Sequence, residues 1–460
     1  MFPEEFIRRI KSQQYIDNEL LLSSLEEPSP VSIRINKSKW SRIPSGSVQV
    51  QWCSEGWYLW QRPSFTLDPL FHAGCYYPQE ASGMFTGELF RQLTAGRENL
   101  KVLDLCAAPG GKSTHLSSLI GNNGFLVANE VIKSRAGILA DNITRWGIGN
   151  TIVTSNDPSV FRKIKGYFDV ILVDAPCSGE GMFRDQVAIK EWSVPNTILC
   201  AERQKRILLD VWPCLKEGGL LIYSTCTFNP AENEEQVRWL LDTRRAESIS
   251  VSTQDIQGIT EIEQGGIKGY GFYPGKIRGE GFFISAIKKL DNDAPGGYVK
   301  NRTRLTFDLK EDIKKAKDWL KNRPEAILND NNKLYSVPVP ASEYAMLAGH
   351  LNIIKKGTEI FTEKNRDIIP SHELVLSQSF SPDILPSYEL SLSDSLSFLR
   401  KDQFSSGSFT DGWAIIKYLG VNLGIIKNIG SRINNYFPVD WRIRMAPDPD
   451  KIKSIISWID

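Results

Sequence analysis

Between residues 100 and 290 the chain alternates short apolar runs with amphipathic stretches. The runs lie in KVLDLCAAP, GFLVANE, TIVTS, FDVILVDAP and GGLLIYSTCT, and they are rich in Val, Ile and Leu. They lack the polar alternation of a half-exposed strand, so they read as strands buried on both faces. Between them, IKSRAGILADNITRW and NTILCAERQKRILLDVW have helical spacing. Buried strands alternating with helices predict an α/β domain, a mostly parallel sheet covered on both faces. GFFISAIKK is expected to close that domain near residue 290.

The flanking texture is different. Residues 1–75 combine a short amphipathic helix (PEEFIRRI), PSPVSIRINKSK and the aromatic stretch WCSEGWYLW, and are expected to form a small N-terminal accessory domain. The α/β domain then covers 76–290. LDNDAPGGYVKNRTR reads as a linker, since Pro, Gly and polar residues cluster there. A middle domain over 304–385 and a C-terminal α+β domain over 386–460, with strand-like DGWAIIKY and LGIIKNIG, complete the expectation. Several domains suit a chain of 460 residues.

Composition removes some function classes. No apolar run has signal-peptide or transmembrane character, so a cytoplasmic protein with no membrane partner is expected. Seven cysteines without a C-x-x-C argue against a disulfide framework, a structural zinc site or thiol–disulfide chemistry. Four histidines without paired spacing make a metal centre unexpected. Net charge is only +1, so any nucleic-acid contact must come from local patches.

Candidate chemistry gathers at the strand ends, where an open parallel sheet binds its ligands. The first strand runs into CAAPGGKST, residues Cys106, Ala107, Ala108, Pro109, Gly110, Gly111 and Lys112 onward. Small residues let backbone approach a ligand, and the following helix N-terminus favours negative charge. A triphosphate-binding loop would need Gly at Cys106. Glu130 ends the second strand, where a carboxylate can accept both hydroxyls of a ribose. Asp157, beyond the third strand, is placed to hold an adenine amino group or is a solvated loop acid. Together these point to a nucleoside cofactor.

Asp174 ends the fourth strand and Cys177 follows it; Cys226 ends the fifth. Cys106, Cys200 and Cys214 read as small packing hydrophobes. A thiolate, a carboxylic acid and an adenosine-bearing cofactor suit methylation of cytosine at carbon 5. Carbon 5 becomes nucleophilic only after a thiolate adds to carbon 6. A protonated carboxyl at ring nitrogen 3 would neutralise the charge that develops there.

The blocks DLCAAPGGKST, ANE, DAPCSGEGMFR, STCTFNPAENEEQV and GEGFF, led by PSPVSIRIN and YPQEASGM, resemble the motif set of the RNA 5-methylcytosine methyltransferases. The similarity is to the bacterial RsmF-like branch, which acts on small-subunit ribosomal RNA, and covers roughly residues 28–289. It implies a Rossmann-like class I methyltransferase domain and S-adenosylmethionine as cofactor, lined by Cys106 to Lys112. It further implies Glu130 at the ribose, Asp157 near the adenine, Asp174 at both cofactor and cytosine, and Lys112 pointing toward the base. Cys226 is then the nucleophile, and Cys177 assists product release. One position departs: Gly275 stands where the family often has His, so a substrate contact is absent there or supplied elsewhere.

A DNA-type enzyme would use the Pro-Cys thiol, Cys177, as nucleophile; the second thiol and SIRIN favour RNA. A ribosome-assembly protein with a dead catalytic domain would need a lost catalytic residue, and none is missing. The tail LGIIKNIGSRINNYFPVDWRIR resembles the branch's C-terminal, PUA-like domain. There Lys417, Lys427, Arg432, Arg442 and Arg444 face a single acid, Asp440, and are interleaved with Tyr418, Tyr436, Phe437 and Trp441. Basic and aromatic residues together suit phosphate contact and base stacking; Phe437 and Trp441 equally suit a small core. The expected partner is RNA, 16S ribosomal RNA or the 30S subunit, bound by a monomer, with Arg432, Arg442 and Arg444 as the contacts.

Overall fold

The computed structural model describes residues 2–291, 305–365, 367–403, 409–446 and 448–459. The expected linker falls, from residue 292 to 304, outside the described residues.

The apolar runs become the centre of a ten-stranded mixed sheet. Its strands are β1 (Lys101–Asp104), β2 (Phe125–Asn129), β3 (Thr151–Thr154), β4 (Phe168–Asp174), β5 (Leu215–Thr225), β6 (Ala246–Ile249), β7 (Thr260–Gln264), β8 (Ile267–Phe272), β9 (Phe282–Lys289) and β10 (Ile353–Lys355). The order is β7-β8-β9-β5-β4-β1-β2-β3-β10, with β6 also on β9. β5, β4, β1, β2 and β3 are parallel, and the remaining pairs are antiparallel. Every residue of β2 and β3 is buried, as strands covered on both faces require.

Helices cover both faces, among them α1 (Ala81–Leu93), α2 (Gly111–Ile120), α3 (Lys133–Trp146) and α4 (Val194–Val211). From β1 the chain winds outward through β2 and β3, then returns to place β4 on the other side of β1. That reversal leaves a crevice beyond the carboxyl ends of β1 and β4, the usual ligand position in such sheets.

The N-terminal region forms a four-stranded antiparallel sheet in the order Val48–Val50, Cys53–Leu59, Val31–Ile35 and Tyr76–Pro78. Its last strand hands the chain directly to α1. The Glu80 carboxylate caps that helix, accepting from the N–H groups of Ser82 and Gly83. The middle region builds a five-stranded sheet of its own. It also sends β10 to pair with β3, so one of its strands belongs to the central sheet. The last region forms a four-stranded sheet around Gly412–Tyr418 and Val421–Asn428. Its buried Phe398, Ile416 and Phe437 share a core with Ile33, Leu70 and Tyr76 of the N-terminal region. Among the described residues, no helix is long and apolar enough to cross a membrane.

Candidate active site

A cavity of about 310 Å³ fills the crevice at the strand reversal. Asp104, Cys106, Ala107, Ala108, Pro109, Gly111 and Lys112 line it from β1 and the loop into α2. Asp174 and Cys226 close it from the ends of β4 and β5, and Glu80 and Phe282 from the opposite wall. Gly110 stands just outside as the N-cap of α2, in the left-handed region at φ +115°.

Asp104 was not singled out by the sequence, because it reads as the last residue of a buried strand. Its carboxyl is buried, and burial pushes it up to about 7. Ser113 Oγ donates to Oδ2 at 2.7 Å, whereas Oδ1 has no hydrogen-bond partner. An orphan carboxylate oxygen beside a cavity is costly unless a donor or cation comes to it. A cofactor with a cationic amino-acid end fits that requirement, and the small Ala107 and Ala108 leave it room.

The nucleoside residues are placed less directly. Glu130 is buried at the end of β2, yet it does not line the cavity. Its Oε1 accepts from the N–H of Ile132 at 2.9 Å, and Arg135 Nη1 lies 3.5 Å from Oε2. Arg135 also donates to the carbonyl of Ala108, bridging the carboxylate to the loop. Asp157 is not brought to the cavity. Its carboxylate caps the short helix Pro158–Lys163 by accepting from the N–H and Oγ of Ser159, and Ser159 pulls its pKa down.

At the reacting end, Lys112 Nζ donates to Asp174 Oδ2 at 2.8 Å and Ser224 Oγ donates to Oδ1 at 2.7 Å. Burial pulls the Lys112 ammonium down, but Asp174 outweighs it and holds the group above its ordinary value. Both oxygens of Asp174 thus accept hydrogen bonds, one from the Lys112 ammonium and one from the Ser224 hydroxyl. The ammonium sits 5.0 Å from the ring centroid of Phe282.

The two thiols meet. Cys177 Sγ and Cys226 Sγ are 3.0 Å apart, and the Cys226 N–H donates to Cys177 Sγ at 3.3 Å. The hydrogen bond to Cys226, reinforced by burial, holds the Cys177 thiol well above its ordinary value. Of the two cysteines, Cys226 is the one that lines the cofactor cavity. Cys200 and Cys214 are buried, in keeping with packing roles.

The quoted motif blocks prove to be the scaffold of this pair. Glu232, from FNPAENEEQ, accepts from the N–H and Oγ of Ser178 and from Gln204. The N–H of Gly181 donates to the carbonyl of Cys226, and that of Gly281 donates to Gly181. Arg34, of SIRIN, is fully buried: Nε donates to Gln79 Oε1 at 2.8 Å and Nη2 to Thr114 Oγ1 at 2.6 Å. It braces the first turn of α2, directly behind Lys112. Gly275 has φ +94°, and a Cβ there would lie 2.6 Å from Leu20 Cγ. The turn requires glycine, so a histidine does not fit at this position.

In the tail, Arg432, Arg442 and Arg444 are exposed, while Phe437 is core. Trp441 is half-buried, with the Arg145 guanidinium of α3 4.2 Å from its ring.

Three family models match the chain in order: the N-terminal domain of 16S rRNA methyltransferase RsmF over residues 2–81, 16S rRNA methyltransferase RsmB/F over 92–288, and the methyltransferase RsmF PUA domain over 385–443. Ribosomal RNA small subunit methyltransferase F of Vibrio atlanticus is 28% identical over 469 residues, covering 95% of this chain and 96% of that protein. Its Salmonella agona counterpart is 29% identical over 472 residues, with 95% and 96% covered. Among solved structures, a methyltransferase homolog protein from Pyrococcus horikoshii is 28% identical with TM-score 0.53, covering 63% of this chain and 96% of its own. NSun6 from Pyrococcus horikoshii, solved with SFG, shares the fold at 20% identity and TM-score 0.50, covering 63% of this chain and 99% of its own.

Proposed function

The chain belongs to the RsmB/F family of S-adenosylmethionine-dependent methyltransferases, and from that premise we propose that it methylates carbon 5 of a cytosine in 16S ribosomal RNA through a covalent Cys226–cytosine bond. The observation that carries the reading is the juxtaposition of Cys226, on the cofactor cavity, with Cys177 3.0 Å away and the Lys112–Asp174 pair on the same wall.

S-adenosylmethionine supplies the methyl group as an electrophile. The chain's own residues do the rest. Asp104 would hold the cationic end of the cofactor, the Cys106–Lys112 loop would line it and Glu130 would take the ribose. Asp157 would reach the adenine through Oδ2, since Ser159 engages only Oδ1. Cys226 as thiolate adds to carbon 6, which makes carbon 5 nucleophilic. Lys112, kept protonated by Asp174, donates a hydrogen bond to the ring as negative charge develops on it. After carbon 5 is methylated, its proton must leave before the Cys226–carbon 6 bond can break. A solvent water takes that proton, the carbon 5–hydrogen electron pair re-forms the ring double bond, and Cys226 leaves as thiolate while the Cys177 thiol, 3.0 Å away, donates to the departing sulfur. Exposed Arg432, Arg442 and Arg444 extend the contact to RNA phosphates.

The test is a pair of single variants incubated with 16S RNA and S-adenosylmethionine. Cys177→Ala should accumulate a denaturation-resistant protein–RNA band, because attack proceeds while elimination is slowed. Cys226→Ala should bind RNA but give neither band nor 5-methylcytosine, and the double variant should also lose the band. A band formed by Cys226→Ala would reverse the roles. Bisulfite sequencing of ribosomal RNA from a strain lacking the gene should show a 5-methylcytosine missing from 16S RNA; unchanged RNA would remove this substrate.

A further inference from the structure

A second cavity of about 710 Å³ opens between the N-terminal sheet, α1 and α2. Cys53, Glu55 and His115 line it, with one ligand atom from each lying within 4.8 Å of the others. Cys53 and Glu55 sit two residues apart on one strand, so both side chains point to the same face. His115 comes from α2, three residues after Lys112.

The imidazole is buried, and its Nδ1 has no hydrogen-bond partner. Its Nε2 has only Cys53 Sγ, at 4.0 Å. Space has been cleared for the ring, since a Cβ on Gly87 of α1 would lie 2.1 Å from His115 Cε1. A buried imidazole so poorly satisfied is costly to keep. Glu55 turns Oε1 to Lys37 at 3.0 Å and Oε2 to Cys53 Sγ at 3.9 Å, so one carboxylate oxygen faces the sulfur.

We propose that Cys53, Glu55 and His115 form a binding site for a borderline-soft divalent cation, Zn²⁺ in the first place. Tetrahedral zinc, with Zn–S about 2.3 Å and Zn–N or Zn–O about 2.0–2.1 Å, sets sulfur about 3.5–3.6 Å from each of the other ligand atoms and nitrogen about 3.3–3.4 Å from oxygen. The Cys53–His115 and Cys53–Glu55 separations of 4.0 and 3.9 Å close to that spacing with shifts of a few tenths of an ångström. The Glu55–His115 pair, within 4.8 Å, closes by rotation of the half-exposed Glu55 side chain. One thiolate, one carboxylate and one imidazole form a mixed S/O/N set that suits zinc better than Mg²⁺ or Ca²⁺. The cavity supplies water for the fourth position. Binding replaces the thiol proton of Cys53 by the metal and releases that proton to solvent. The ion would staple the N-terminal sheet to the helix that carries Lys112.

Metal-free full-length protein is titrated with Co²⁺ alone, followed by Zn²⁺ as competitor. The wild type should take up one Co²⁺ with a thiolate-to-cobalt charge-transfer band and tetrahedral visible bands, and Zn²⁺ should bleach both. Cys53→Ser should lose the charge-transfer band, while the Cys177→Ala/Cys226→Ala double variant should keep it. Glu55→Gln, at a half-exposed position, should weaken Co²⁺ binding about tenfold or more. Absence of the band from the wild type overturns the proposal, as does its survival in Cys53→Ser or its loss from the double variant. If Cys53→Ser does not fold, as judged by circular dichroism, Glu55→Gln decides: unchanged affinity overturns the site.

Discussion

Asp104→Asn isolates the charge that the cofactor end of the site relies on. The substitution is isosteric and keeps an acceptor for Ser113 Oγ, so it removes the charge and little else. The free carboxyl sits at about 7, raised first by burial. At pH 8 it is about nine-tenths ionised, and at pH 6 about one-tenth. A hydrogen bond to a charged group contributes about 1.5–3 kcal/mol, which is about 10- to 150-fold in affinity. Asp104→Asn should therefore bind S-adenosylmethionine about 10- to 150-fold more weakly at pH 8. At pH 6 the wild type must first ionise Asp104, at a cost of about 1.4 kcal/mol, so the ratio should shrink by about tenfold. The sign follows from the raised pKa: affinity owed to this carboxylate is present above about pH 7 and is lost as pH falls. Titration of the ligand's own amino group is common to both proteins and cancels in the ratio. Isothermal titration calorimetry from pH 6 to 8.5 provides the ratio. A constant ratio across that range, or equal affinity at pH 8, would falsify the assignment of Asp104 to the cofactor's cationic end.

Two further outcomes test the scaffold and the tail. Arg34→Met should lower stability by about 2–4 kcal/mol in urea denaturation, because Gln79 Oε1 loses a buried donor and the brace on Thr114 is removed; a change under about 0.5 kcal/mol would place Arg34 outside the structural core. Replacing Arg432, Arg442 and Arg444 together by Ala should weaken RNA binding and reduce the salt slope by about two, with S-adenosylmethionine binding unchanged. Filter binding across a salt series measures it, and an unaltered slope would mean these side chains do not touch phosphate.

What the chain declares locally was legible without coordinates. Burial on both faces leaves continuous apolar runs, so β1 to β5 and the parallel core were readable from Val, Ile and Leu alone. A sheet of that kind binds at its carboxyl ends, which is why CAAPGGK, Asp174 and Cys226 could be placed in one crevice from their positions after strands. The motif blocks extended that reading to a reaction and a cofactor.

The tertiary structure decided whatever depends on partners distant in the chain. Nothing local announces that Arg34 will end against Thr114, or that three residues near 354 will extend the catalytic sheet. Asp157 shows the reverse case. A strand-end acid promised a ligand contact, but the folded chain leaves it off the cavity wall, with one oxygen turned to Ser159 as a helix cap. Asp104 looked like strand filler until its unpartnered oxygen faced a cavity. Cysteine and histidine spacing argued against any metal, because Cys53 and His115 are separated by 62 positions; packing of the N-terminal sheet on α2 brings them together. Periodicity encodes which face of an element is buried. Which side chain it is buried against is set only when the elements close on one another, and the specific chemistry of the site is written there.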